Sequence, residues 1–119
     1  MTRILSLLSL LVLAGSAMAG APEIIDAKVQ KSGMNWRVEV TLKHDDTGWD
    51  HYADGWDVVD ADGNILGQRD LLHPHVDEQP FTRSLGNLVL PDGTREVFIR
   101  TRCSVEGWSA DAVRVELSP

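Results

Sequence analysis

From Asn35 to Lys43 the chain reads Asn-Trp-Arg-Val-Glu-Val-Thr-Leu-Lys, apolar at every even position and polar at every odd one. A period of two is what a strand with one buried face requires, because successive side chains point to opposite sides of the pleat. The alternation recurs in Ile25, Ala27 and Val29 against Asp26, Lys28 and Gln30, and in Val97, Ile99, Thr101 and Cys103 against Glu96, Arg100 and Arg102. It closes the chain in Val113, Val115 and Leu117. No stretch after residue 19 carries a helical period. Ser32-Gly33, Asp62-Gly63-Asn64 and Pro91-Asp92-Gly93-Thr94 are tight-turn chemistry. Together these patterns predict seven strands, at 23–31, 34–44, 55–60, 64–72, 80–89, 95–104 and 112–118. Strands this short with turns at this spacing predict an all-β fold, a single seven-stranded antiparallel β-sandwich.

The first nineteen residues follow a different rule. Met1-Thr2-Arg3 is a short basic start, Ile4–Leu13 an apolar run, and Ala17-Met18-Ala19 a small-residue cleavage pattern. Residues 1–19 are therefore expected to be a cleaved signal peptide, and 20–119 one domain. The apolar run is shorter than the roughly 20 residues of a membrane span. Gly20, rather than a cysteine, follows the expected cut, so lipid attachment of the bacterial lipoprotein kind is not expected. The mature chain should be soluble and exported, periplasmic or secreted. Its single cysteine, Cys103, cannot form a disulfide within the chain. A net charge of −7 argues against nucleic acid and anionic membrane surfaces, which recruit basic patches.

Leu90-Pro91-Asp92-Gly93-Thr94 leading into Val97 and Ile99, then Gly107-Trp108-Ser109 before the last strand, resembles the second half of a fibronectin type III or related immunoglobulin-like domain. Trp36 on the second strand is similar to that family too. The chain departs from the family at the tyrosine usual in the sixth strand, with Val97 near its place. The stretch from Asp50 to Leu85 also resembles small exported bacterial proteins of unassigned function. The resemblance implies an immunoglobulin-like fold and no particular activity, because sandwiches host many functions.

If consecutive strands run antiparallel, the connections at 45–54, 73–79 and 105–111 share one end, where variable immunoglobulin domains carry their binding loops. Composition singles out the same end. All four histidines, His44, His51, His73 and His75, fall between residues 44 and 78, together with ten acidic residues and one basic residue, Arg69. In His73-Pro74-His75 the proline favours extended geometry, which sets both imidazoles on one face. With Asp77 or Glu78 below and His44 or His51 arriving from the neighbouring loop, they would offer the nitrogen and oxygen ligands that zinc or copper(II) accept. The competing account is architectural, with imidazole–carboxylate pairs ordering long loops.

Gly48-Trp49-Asp50-His51-Tyr52-Ala53-Asp54-Gly55-Trp56-Asp57 divides in two by strand parity. Trp56 should face inward with Val58, while Trp49, Asp50 and Tyr52 belong to the loop, where with Trp108 they could staple the core or contact a partner. Arg83 shares parity with Phe81 and Leu85 near this acidic end, so it should be paired with Asp77, Glu78 or Asp54, or bind an anionic ligand. Asp60-Ala61-Asp62-Gly63-Asn64 has its glycine too early for a calcium loop and leucine at residue 71, so it is a hairpin turn. Cys103 shares a face with Val97 and Ile99 and reads as a buried thiol. No nucleophile elbow or glycine-rich phosphate cradle is present. The expected function is thus a non-enzymatic exported binding module holding a ligand, with a transition metal such as copper or zinc as the leading case. The alternative is an accessory domain for a periplasmic protein, its histidines architectural.

Overall fold

The structure, a computed structural model, describes residues 20–118. The expected signal peptide lies outside the described residues, and nothing in the fold tests it. Eight strands follow in chain order: β1 (Glu23–Ser32), β2 (Asn35–Lys43), β3 (Ala53–Val59), β4 (Ile65–Asp70), β5 (Phe81–Leu88), β6 (Glu96–Cys103), β7 (Gly107–Trp108) and β8 (Val113–Ser118). There is no helix among the described residues, hence none long and apolar enough to cross a membrane.

Two antiparallel halves, β4-β3-β6 and β1-β2-β5, are joined through β8. β8 pairs antiparallel with β6 and parallel with β1, at Val29↔Leu117 and Gln30↔Ser118. This corrects the expectation of a purely antiparallel, seven-stranded sheet. The reason is directional: when seven long strands alternate (β7 being only two residues), the first and the last run the same way, so if they become neighbours they can pair only in parallel. The sheet is mixed and barrel-like, and it nearly closes. Arg69 Nε on β4 donates across the remaining gap to the Ser84 carbonyl on β5 at 2.9 Å.

The core lies between the halves. Val29, Val38, Val40 and Leu42 from one side meet Trp56, Val58, Val97 and Ile99 from the other, all fully buried. β6 follows its alternation to the residue, and β2 follows it from Arg37 on, with Trp36 only half-buried. β1 does not, because its register slips between Ile24 and Asp26. A bulge puts one extra residue on a strand and reverses which face follows. Ile25, expected inside, is therefore 48% exposed, and Ile24 packs against the core in its place. β3 is buried on both faces, so Asp57 is as inaccessible as Trp56. Its carboxylate is gripped by Arg100, its cross-strand neighbour on β6, through both Nε and Nη2.

The turn at Asp60 is a hairpin, as its spacing indicates. Asp60 Oδ1 accepts from the amides of Asp62 and Asn64, and Oδ2 accepts from the Asn64 side chain. The Asn64 side-chain bond, foremost among these, holds the Asp60 carboxyl below its ordinary value.

Candidate functional site

The three long connections, 44–52, 71–80 and 104–112, meet at one end, and Asp46 ties two of them together. Its buried carboxylate accepts hydrogen bonds on Oδ1 from His44 Nδ1 at 2.6 Å and the Ala53 amide at 2.9 Å, and on Oδ2 from the His75 amide at 2.8 Å. Gln79 adds a second clasp, accepting from the His44 amide and donating to the His75 carbonyl. The third connection is sewn on by Ser104, whose amide donates to the Tyr52 carbonyl and whose hydroxyl accepts from the Tyr52 amide.

Beneath these clasps lie three metal-capable side chains. His44 follows β2, His51 precedes β3, and Cys103 is the last residue of β6 and pairs with Ala53. One potential ligand atom from each lies within 4.8 Å of the other two. The His44 and His51 rings meet edge to face at 5.2 Å. His51 Nε2 is buried without a hydrogen-bond partner, and Cys103 is a free, buried thiol. His44 Nε2 is held by the Gly20 carbonyl at 2.9 Å. An open depression of about 460 Å³, lined by Ala21, Glu23, Lys43, Asp45 and the two rings, leads to the group.

The other histidines belong to a separate network. His73 and His75 do share a face, with ring centroids 4.5 Å apart. His75, however, is buried and stacked flat on Phe81 at 3.9 Å, and its Nε2 accepts from Arg83 Nη2 at 2.7 Å. His73 is exposed and turns Nδ1 to the Pro74 carbonyl. Glu78 stands 3.6 Å from Arg83 Nη2 and 3.8 Å from His75 Nε2, and Asp77 is exposed to solvent. The structure thus gathers His44 and His51 with Cys103 and leaves His73 and His75 with Arg83 and Glu78. Parity placed Cys103 inward at the loop end of its strand, where it was read as a buried thiol and not as a ligand. No sequence pattern links it to two histidines more than 50 positions away.

The loop aromatics divide as well. Trp49 is 69% exposed, edge-on to Tyr52 at 5.6 Å, while Asp50 beside it is exposed. Trp108 lies under the guanidiniums of Arg100 and Arg102 at 4.8 and 5.2 Å, a cation–π arrangement that holds it to the sheet. Arg102 also pairs with Asp54 at 2.8 Å. Several carboxylates of the acidic window are therefore neutralised by arginines on the strands.

His75 is held below its ordinary value of 6.5, first by burial, then by the Arg83 and His73 charges, against the opposing pull of Glu78 and Asp46. A depressed imidazole binds its proton more readily unfolded than folded. Its contribution to stability is complete above pH 6.5 and is lost as pH falls below that value. Urea titrations between pH 7.5 and 5 should show wild-type stability declining with acid and a shallower decline in His75→Phe. Equal slopes would contradict the assignment.

No family model matches the chain, and no solved structure matches it. A protein of Halomicrobium mukohataei described as "Putative lipoprotein" is 39% identical over 94 residues, which cover 78% of this chain and 46% of that relative. The chain thus spans about half the length of the curated relative it matches.

Proposed function

We propose that this chain is a non-enzymatic, exported binding module on an immunoglobulin-like sandwich, and that the ligand held at its loop end is a transition metal ion bound by His44, His51 and Cys103. The observation that carries the reading is the meeting of a buried free thiol, a buried imidazole nitrogen without a partner and a second imidazole within 4.8 Å of one another. Two imidazoles and a thiolate suit zinc or copper, and Asp46 on His44 Nδ1 is the carboxylate that commonly orients a metal-binding histidine. Zinc bonds of about 2.0–2.3 Å set ligand atoms roughly 3.3–3.8 Å apart, so the three would draw inward by up to about 1 Å. His44 Nε2 would exchange the Gly20 carbonyl for the ion. The clustering of long loops at one end and the buried tryptophan on the third strand support the immunoglobulin-like assignment. The relative's description as a lipoprotein supports export.

Calorimetric titration with zinc and copper(II) tests the reading. One-to-one binding is expected, abolished in Cys103→Ala and in His51→Ala and kept in His73→Ala. Zinc at a hundred times its dissociation constant should stabilise the chain by about 2.7 kcal/mol and raise its Tm by roughly 10 °C or more. Binding that survives Cys103→Ala would remove the thiol from the site, and silence from both metals would end the metal reading.

A second reading rests on a different observation. Trp49 (69% exposed), Leu72 (74%), Val76 (51%) and Val105 (59%) all project from the three connections at this end. Exposed apolar groups sharing one set of loops suit a contact surface for a protein partner, although Met34, Ile65 and Val89 are exposed away from it as well. On that reading the histidines serve only to hold the loops.

A further inference from the structure

Between β4, the 71–80 connection and β5 lies a small, partly enclosed pocket of about 90 Å³, lined by Arg69, Leu71, Leu72, His73, His75 and Arg83. That is room for a few waters or a single small ion. In a chain of net charge −7, two guanidiniums and two imidazoles converge on this one pocket.

The hydrogen bonding around it is one-sided. Arg83 Nη2 donates to His75 Nε2, so the neutral ring carries its proton on Nδ1. That Nδ1 is buried and has no acceptor, although the His75 side chain is only 3% exposed. A buried donor left unpaired carries the cost of its lost hydration. Arg69 spends Nε on the Ser84 carbonyl and Nη1 on the Asp70 carbonyl, and Arg83 spends Nη1 on the Thr82 carbonyl. Both guanidiniums keep further N–H groups. The nearby carboxylates answer this charge only in part: Glu78 is 65% exposed and stands off at 3.6 Å, while Asp46 is occupied by the His44, Ala53 and His75 protons. Asp70 accepts from Gln68, and Asp77 is exposed. The pocket has donors and positive charge in excess and lacks acceptors.

We propose that this pocket binds one small oxyanion, with Arg69 and Arg83 as its charge partners, the buried Nδ1–H of His75 as its central donor and His73 at the rim. The site shares no ligand side chain with the His44–His51–Cys103 group, although Asp46 joins the His44 ring to the His75 amide. Planar guanidiniums donate in pairs to carboxylate or phosphate oxygens, which is why arginine suits this task better than lysine. Burial first, and then the charges of Arg83 and His73, hold the proton affinity of His75 down, in keeping with a pocket rich in positive charge. Glu78 acts as a loose internal competitor that an entering anion would displace.

The test follows the imidazole NMR signals of His75 and His73 in the full chain at pH 7.5. It is titrated separately with inorganic phosphate, sulfate and acetate, with chloride holding the ionic strength constant. Saturable shifts centred on His75 are expected. They should weaken about tenfold or more in Arg83→Gln and in Arg69→Gln, as loss of a charge-assisted bond implies, and tighten in Glu78→Gln. Response to phosphate and sulfate alone would assign a tetrahedral oxyanion. An equal response to acetate would assign a carboxylate, such as a peptide terminus. If His75 in the wild-type chain responds to none of the three beyond the chloride control, the pocket holds only water and the proposal is overturned, whatever the arginine variants do to folding.

Discussion

Asp46→Ala should cost about 4 kcal/mol of folding stability, measured by urea denaturation at pH 7.5. The carboxylate is fully buried and has three donors, the His44 ring, the Ala53 amide and the His75 amide. Alanine leaves all three buried and unpaired, at about 1–3 kcal/mol each, and they are too close together to add fully. Asp46→Asn keeps the shape but turns a donor toward one of these groups, so it should recover only part of the loss. In a domain of roughly 5–15 kcal/mol this is a large fraction of the total. The same variant should loosen zinc, because His44 would lose the group that fixes its ring. A loss under about 1 kcal/mol would mean that the loop end is held by something else.

Arg100→Ala should be comparably damaging, at about 3–5 kcal/mol, for an electrostatic reason. Asp57 has no accessible surface, and removing its guanidinium strands a carboxylate in the sheet. The double variant Asp57→Val/Arg100→Met should regain most of the stability, since replacing a buried pair by apolar groups is often neutral or better. The coupling energy of that cycle is the quantity to measure. Strictly additive losses would show that the two groups do not depend on each other. Part of the Arg100→Ala loss should survive in the double variant, because Arg100 also covers Trp108.

These sites mark where sequence reading stops. β2 and β6 were legible residue by residue because each has one wet and one dry face, and alternation records that directly. β3 is dry on both faces, so alternation, which set Asp57 on the strand's face opposite Trp56, could not show that it is half of a buried pair. β1 carries a bulge, which alternation cannot register because it assumes unbroken pairing. The histidines were legible as a cluster because the connections alternate between ends. Their division into two groups was not, because it depends on Arg83 reaching His75 and on Cys103 arriving from a strand half the chain away. The adjacency of β1 and β8 also escaped, since pairing partners follow from how the halves curl together.

That adjacency has a kinetic side. Without β8 no backbone ladder joins the two halves, and β1 and β6 each present an open edge. The strand that seals them follows all the others in the chain. Pairing the first strand of the sheet with the last also carries a large loop-closure entropy, which slows folding. Until β8 arrives, the two halves can form only as separate three-stranded sheets, and its docking turns them into one continuous, nearly closed sheet.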